Sequence, residues 1–174
     1  MIMYYLKKKK PNDGKKRSSK SDLQKWTDKL DKVVSLYVRM RDSREYHYKY
    51  FRCISCGRVL PVEQADCGHY MSRRNMNTRF DTTNVHAECR RCNRFDASHL
   101  VGYRHNLIMK LGKMSFINKH PNATVNSAEA KRLGEQQVDL LEMRAHQTKK
   151  WSVFELQQLY KYYAALILKM KEEM

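Results

Sequence analysis

The sequence predicts an α+β protein, a small cysteine-stapled core of two strands and a helix flanked by N- and C-terminal α-helices. Two CxxC pairs, Cys53-Ile54-Ser55-Cys56 and Cys89-Arg90-Arg91-Cys92, bracket a stretch too short to be a domain of its own. Before them Trp26, Leu30, Val33, Val34, Tyr37 and Met40 recur at helical spacing, and after them Val153, Leu156, Leu159, Tyr160, Tyr163, Ile167 and Met170 do the same. With 174 residues, 41% apolar and 30% charged, the chain has material for one modest domain with extensions.

Each CxxC pair can place two thiolates on one zinc ion, and four thiolates fill its tetrahedral shell. Such a Zn2+ has no open position for water or substrate, so Cys53, Cys56, Cys89 and Cys92 are expected to hold a structural ion whose binding free energy joins the folding free energy. Five cysteines, four of them paired in this way, speak against a disulfide framework and for a reducing compartment. Cys67 is left over.

Residues 1–20 read as a basic disordered arm. KKKKPNDGKKRSSK over 7–20 offers nothing to bury, and the apolar Met1–Leu6 precedes basic residues where a signal peptide would follow them. Residues 21–50 hold a helix capped at Ser21 and a lead-in strand, in which Tyr46, Tyr48 and Tyr50 alternate before Cys53. The core spans 51–112, where the helical pattern Val101–Leu111 ends at Gly112 as a C-cap. Residues 113–126 read as a loop or insertion, and 127–174 as two helices. Asn126 with Glu129, and Ser152 with Glu155, have capping-box spacing at their starts. The apolar stripe of the last helix suits the core or a homodimer contact.

Lys and Arg outnumber Asp and Glu by 35 to 18, a net charge of +17. The excess points to nucleic acid, and no apolar run approaches membrane-spanning length. Arg73, Arg74, Arg79, Arg90, Arg91, Arg94 and Arg104 cluster around the bracketed stretch, and arginine forks suit phosphate. About half are expected to touch DNA.

Phosphodiester hydrolysis needs an activated water, neutralisation of the phosphoryl charge and a stabilised leaving oxygen. His69, in Asp66-Cys67-Gly68-His69-Tyr70, could take the proton, with Gly68 allowing close approach. The run of CxxC, Gly68-His69, Asn84, CxxC and Asn93 resembles the zinc-supported HNH (ββα-metal) nuclease superfamily. That resemblance implies an HNH-like core with His69 as general base, Asn84 orienting the loop, and Asn93 binding a catalytic Mg2+ or Mn2+. More closely, Asp66-x-Gly68-His69-Tyr70, Arg79-Phe80, Asn84-Val85-His86, Cys89-x-x-Cys92-Asn93 and Tyr103-Arg104 are similar to the phage lambda NinG (Rap) recombination protein family. The same stretch resembles the Ref-type RecA-dependent nucleases more distantly. The resemblance implies a phage or prophage protein working in the host bacterial cytoplasm, on branched or Holliday-junction DNA, with a RecA-type recombinase as a possible partner.

One position departs from the pattern. Many HNH enzymes carry a metal-binding Asp or His directly before the base, and Gly68 has no side chain to coordinate with. Asp66 is the candidate replacement, although a strand through Cys67–Tyr70 would turn Asp66 and His69 to opposite faces. His86 would share a face with Asn84, as a second ligand or a phosphate donor. The expectation is a metal-dependent, structure-directed endodeoxyribonuclease. A non-catalytic, zinc-stabilised mediator that binds branched DNA would use the same arginines and knuckles.

Overall fold

The computed structural model describes residues 19–174, so nearly all of the basic arm expected over 1–20 lies outside the described residues. Helix α1 (Asp22–Ser43) begins where Ser21 accepts the Gln24 N–H at 3.2 Å. Leu30, Val34 and Val38 bury the stripe at i, i+4, i+8 that the periodicity predicts. Helix α5 (Val153–Glu172) starts on the complete Ser152/Glu155 capping box and covers that stripe. Trp26 meets Tyr160, Tyr37 meets Tyr163, and Arg44 pairs with Glu173, so the two helices run parallel.

Two small antiparallel sheets lie between them in sequence and pack on α1. Strands β1 (Tyr50–Arg52) and β2 (Val59–Pro61) flank the first CxxC pair. Strands β3 (Ala65–His69) and β4 (Val85–Cys89) form the second sheet, with Asp66 opposite Glu88, Gly68 opposite His86 and His69 opposite Val85. The ladder turns Cys67, Ala87 and Val85 toward α1 and the cysteine knuckle, where they join the buried clusters. Asp66, Gly68, His86 and Glu88 take the other face. Helix α2 (Arg90–Phe95) follows β4 directly and carries Cys92 and Asn93.

Helices α3 (His99–Lys119) and α4 (Ser127–Ala145) form an antiparallel pair over a second core of Ile54, Tyr103, Leu107, Ile108, Val138 and Leu141. Asn126 caps α4 as expected, accepting from Ala128 and Glu129. The whole is a mixed protein of helices and two small sheets with a four-cysteine cluster, as the sequence predicts at that level. Among the described residues no helix is long and apolar enough to cross a membrane.

Two element expectations are corrected. The alternating tyrosines are not one strand: Arg44–Tyr46 is a one-turn 3-10 helix, and His47 and Tyr48 sit at φ 52° and 61°, a left-handed turn that strand pairing cannot pass through. Only Tyr50 belongs to β1. Gly112 is not a C-cap, because α3 runs through it to Lys119 and the connection shrinks to residues 120–126. Gly112 instead marks a helix contact. A Cβ there would stand 2.0 Å from the Ala130 carbonyl oxygen, and one at Gly134 2.0 Å from that of Ile108, so the missing side chains set how closely α3 and α4 approach.

Candidate active site

Cys53 directly follows β1, Cys89 ends β4, and Cys92 is the third residue of α2. Their sulfurs and that of Cys56 lie within 4.8 Å of one another. A tetrahedral zinc with bonds of about 2.3 Å would hold its sulfurs about 3.8 Å apart, so this donor set fits a metal such as zinc. Gly57, at φ +70°, turns the chain out of the first knuckle, and Gly57 N–H donates to the Cys53 carbonyl at 2.9 Å. Among the described residues these four form the one group of three or more His, Cys, Asp or Glu donors close enough to share an ion. Cys67 stands apart in the α1 core, where burial pushes its thiol up to about 12.

His69 closes β3. Its Nε2 faces the Arg79 carbonyl at 3.0 Å, which fixes the proton on Nε2, and Nδ1 accepts a long 3.4 Å contact from Arg73. Burial, with the Arg73 charge beside it, lowers the imidazole to about 4, so Nδ1 keeps its lone pair at neutral pH. Asn84, fully buried, ties the loop that follows. Its Oδ1 accepts from Met71 N at 2.7 Å, its Nδ2 donates to the Thr78 and Met71 carbonyls, and its own carbonyl takes the Tyr70 N–H. The Tyr103 hydroxyl on α3 reaches the Gly68 and Asn84 carbonyls and locks both strand ends. Asn84 therefore ties residues 71 and 78 of the loop beyond His69 to the start of β4.

Asp66 and Asn93 are brought together. Asn93 donates from Nδ2 to Asp66 Oδ2 at 3.1 Å, and Arg94 forks onto both Asp66 oxygens at 2.7 and 2.9 Å. Partial burial works to raise this carboxyl, but Arg94 and Asn93 hold it below the usual carboxylate range. The ladder does turn Asp66 and His69 to opposite faces, roughly 10 Å apart along the strand. No direct contact joins His69 to the Asp66–Asn93 pair.

His86 departs from its expected place as a metal ligand. It is buried, and its Nδ1 takes hydrogen bonds from Arg41 at 2.9 Å and Lys110 at 3.1 Å while Nε2 faces the Thr83 carbonyl at 3.3 Å. Both nitrogens are used and two cations stand beside the ring, so no lone pair is left for another. Burial and the Lys110 charge lower it to about 4. Asp42 completes the cluster. It accepts from Arg41, Lys110 and the Ala87 N–H, and against its burial the Arg41 and Lys110 charges hold it well below the ordinary range. These groups border a cavity of about 650 Å³ between α1 and α3. Arg41, Asp42 and Lys110 escape sequence reading because nothing local links a residue of α1 to one of α3.

The seven arginines divide. Arg79 forks onto Asp31, Arg94 onto Asp66, and Arg104 meets Asp139 and Glu142. Arg90 donates to the Glu63 carbonyl. Arg73, Arg74 and Arg91 are exposed and pair with no carboxylate among the described residues. Glu88, unremarked in the sequence, is fully buried beside the knuckle and accepts from Ser55 Oγ at 2.5 Å and His99 Nδ1 at 2.7 Å.

The family model described as NinG, Bacteriophage Lambda NinG protein, matches residues 5–130. Protein ninG of Escherichia phage 933W is 35% identical over 89 residues, 51% of this chain and 41% of that protein. Protein ninG of Salmonella phage P22 is 35% identical over 88 residues, covering 50% and 40%, and that of Escherichia phage lambda is 34% identical over 89 residues, covering 51% and 40%. The match thus spans about two fifths of the length of these relatives. No solved structure matches.

Proposed function

Because the chain belongs to the NinG family, whose model it matches over residues 5–130, we propose that it is an HNH-type, metal-dependent endonuclease of phage recombination. Its substrate is branched or Holliday-junction DNA. The observation that carries this reading is the order strand, strand, helix with His69 closing β3 and Asn93 on α2. His69, its Nε2–H held by the Arg79 carbonyl, offers an unprotonated Nδ1 to the hydrogen of an attacking water. Asn93 with Asp66 would hold a divalent ion, Mg2+ or Mn2+, whose chemistry would be to neutralise charge on the phosphate. Asn84 keeps the His69 loop in place. Arg73, Arg74 and Arg91 meet backbone phosphates, with no reading of base sequence implied. A zinc held by the four cysteines would supply rigidity only.

A junction requires two cuts. The exposed Tyr162 and Leu168 of α5 give a second copy an apolar surface. Such a protein acts in the host cytoplasm, and a RecA-type recombinase fits as a partner.

One observation favours a second reading, a non-catalytic mediator that binds branched DNA. Asp66 is already engaged by Arg94 and turns away from His69. Incubating the purified chain with radiolabelled junction, forked and linear DNA, with and without Mg2+, separates the two. The nuclease reading expects Mg2+-dependent nicks in branched DNA that leave 5′ phosphates. Tight binding without nicks in either Mg2+ or Mn2+ establishes the mediator instead.

A further inference from the structure

Glu88 is fully buried, and its two carboxylate oxygens are treated differently. Oε1 takes both donors, the Ser55 hydroxyl and His99 Nδ1, whereas Oε2 is the one buried side-chain polar atom without a partner among the described residues. An orphaned carboxylate oxygen cut off from water is costly unless something absent from the protein alone satisfies it. Where that oxygen lies is informative. A Cβ built on Gly68 would stand 2.3 Å from Glu88 Oε2, so the Glu88 carboxylate fills the space that a side chain at position 68 would enter.

Glu88 also sits directly opposite Asp66 in the β3–β4 ladder, on the same face. Directly opposed residues have Cβ atoms about 4.5–5.5 Å apart. One rung of the hairpin therefore mounts two carboxylates, Asp66 reaching Asn93 of α2 and Glu88 reaching His99 at the start of α3. A ligating carboxylate is commonly fixed through its other oxygen, and Ser55 and His99 do this for Oε1.

We propose that Glu88 supplies, through Oε2, the carboxylate ligand for a divalent cation that Gly68 cannot provide, completing the site begun by Asp66 and Asn93. Ser55 and His99 are positioning residues for it. The inference rests on the nuclease reading only for what the ion is used for. An ion of this kind needs no cage, since Mg2+ commonly takes one or two carboxylates and completes its shell with water and phosphate.

The test is Mn2+ binding to the zinc-loaded full chain, followed by loss of the free-ion electron paramagnetic resonance signal. Both variants should keep the zinc content; His99→Ala should weaken Mn2+ binding about ten- to a hundred-fold, and Glu88→Gln, which removes the ligand itself, should weaken it more. Where Glu88→Gln does not fold, the parent alone decides. Substoichiometric Mn2+ should broaden the amide resonances of Gly68 and Glu88 before those of His69-distal helices α4 and α5. Unchanged Mn2+ affinity in a folded Glu88→Gln protein, sharp Gly68 and Glu88 resonances at saturation, or no Mn2+ binding by the parent each overturns the proposal. A parent that cuts DNA beside an unaffected Glu88→Gln loses this inference and keeps the nuclease reading. A parent that binds Mn2+ through Glu88 and cuts nothing does the reverse.

Discussion

His69 Nε2 faces the Arg79 carbonyl at 3.0 Å, which leaves Nδ1 as the basic atom of the ring. Burial and Arg73 lower that ring from an ordinary 6.5 to about 4, so it stays unprotonated over a wider acid range than an exposed histidine. The cleavage rate should therefore hold from pH 7 down past 6 and fall only as pH approaches 4. A pH–rate profile that breaks near 6.5 would instead mark His69 as an ordinary, solvated base or no base at all.

The crossing of α3 and α4 should tolerate no methyl group. Gly112→Ala and Gly134→Ala each gain about 1 kcal/mol of helix propensity, but each places a Cβ against backbone, which cannot rotate aside. Overpacking costs typically about 1–3 kcal/mol and more against a rigid neighbour, so the net change should be destabilising, with the thermal midpoint lowered by several degrees in circular dichroism. An unchanged or raised midpoint contradicts the close approach.

The four sulfurs join β1, β4 and α2, which are short elements with little core of their own. One zinc per chain is expected by elemental analysis. Cys92→Ser or exhaustive chelation should unfold the hairpin region cooperatively, as metal-binding free energy is folding free energy here. A chelated protein with native amide dispersion over residues 50–95 would show that the knuckle is dispensable.

Buried His86 makes stability depend on pH in a known direction. Its folded value of about 4 lies below the ordinary 6.5, so between those values the unfolded chain binds more protons. Stability contributed by the neutral ring is fully present above pH 6.5, falls as pH drops toward 4, and changes no further below it. The span corresponds to about 3 kcal/mol at most. Urea titrations should give a shallower pH dependence for His86→Gln than for the parent over that window, and equal slopes would exclude the group.

What the sequence made legible was local or covalent in spacing. Ser21, Asn126 and Ser152 announce helix starts because a cap acts within three residues, and the cysteines announce themselves by pairs. Gly112 misleads because a glycine that ends a helix and one that lets a helix approach look alike until the partner, Gly134, is in place. Tyr46 and Tyr48 alternate like a strand, yet the left-handed turn at 47–48 overrides that pattern. The opposition of Asp66 and His69 follows from strand period alone. Glu88 over Gly68, and His86 between Arg41 and Lys110, depend on cross-strand register and on helices distant in sequence. No window of the chain contains them.

On the proposed reading, the hairpin and α2 cut DNA with His69 as base. The most direct measurement is the Mg2+-dependent nicking rate of a branched substrate by the parent and by His69→Ala, each carrying its zinc and each saturated with DNA. His69→Ala should lose about 10²–10⁴-fold in rate with zinc content and DNA affinity unchanged. Equal rates for the two proteins would contradict it.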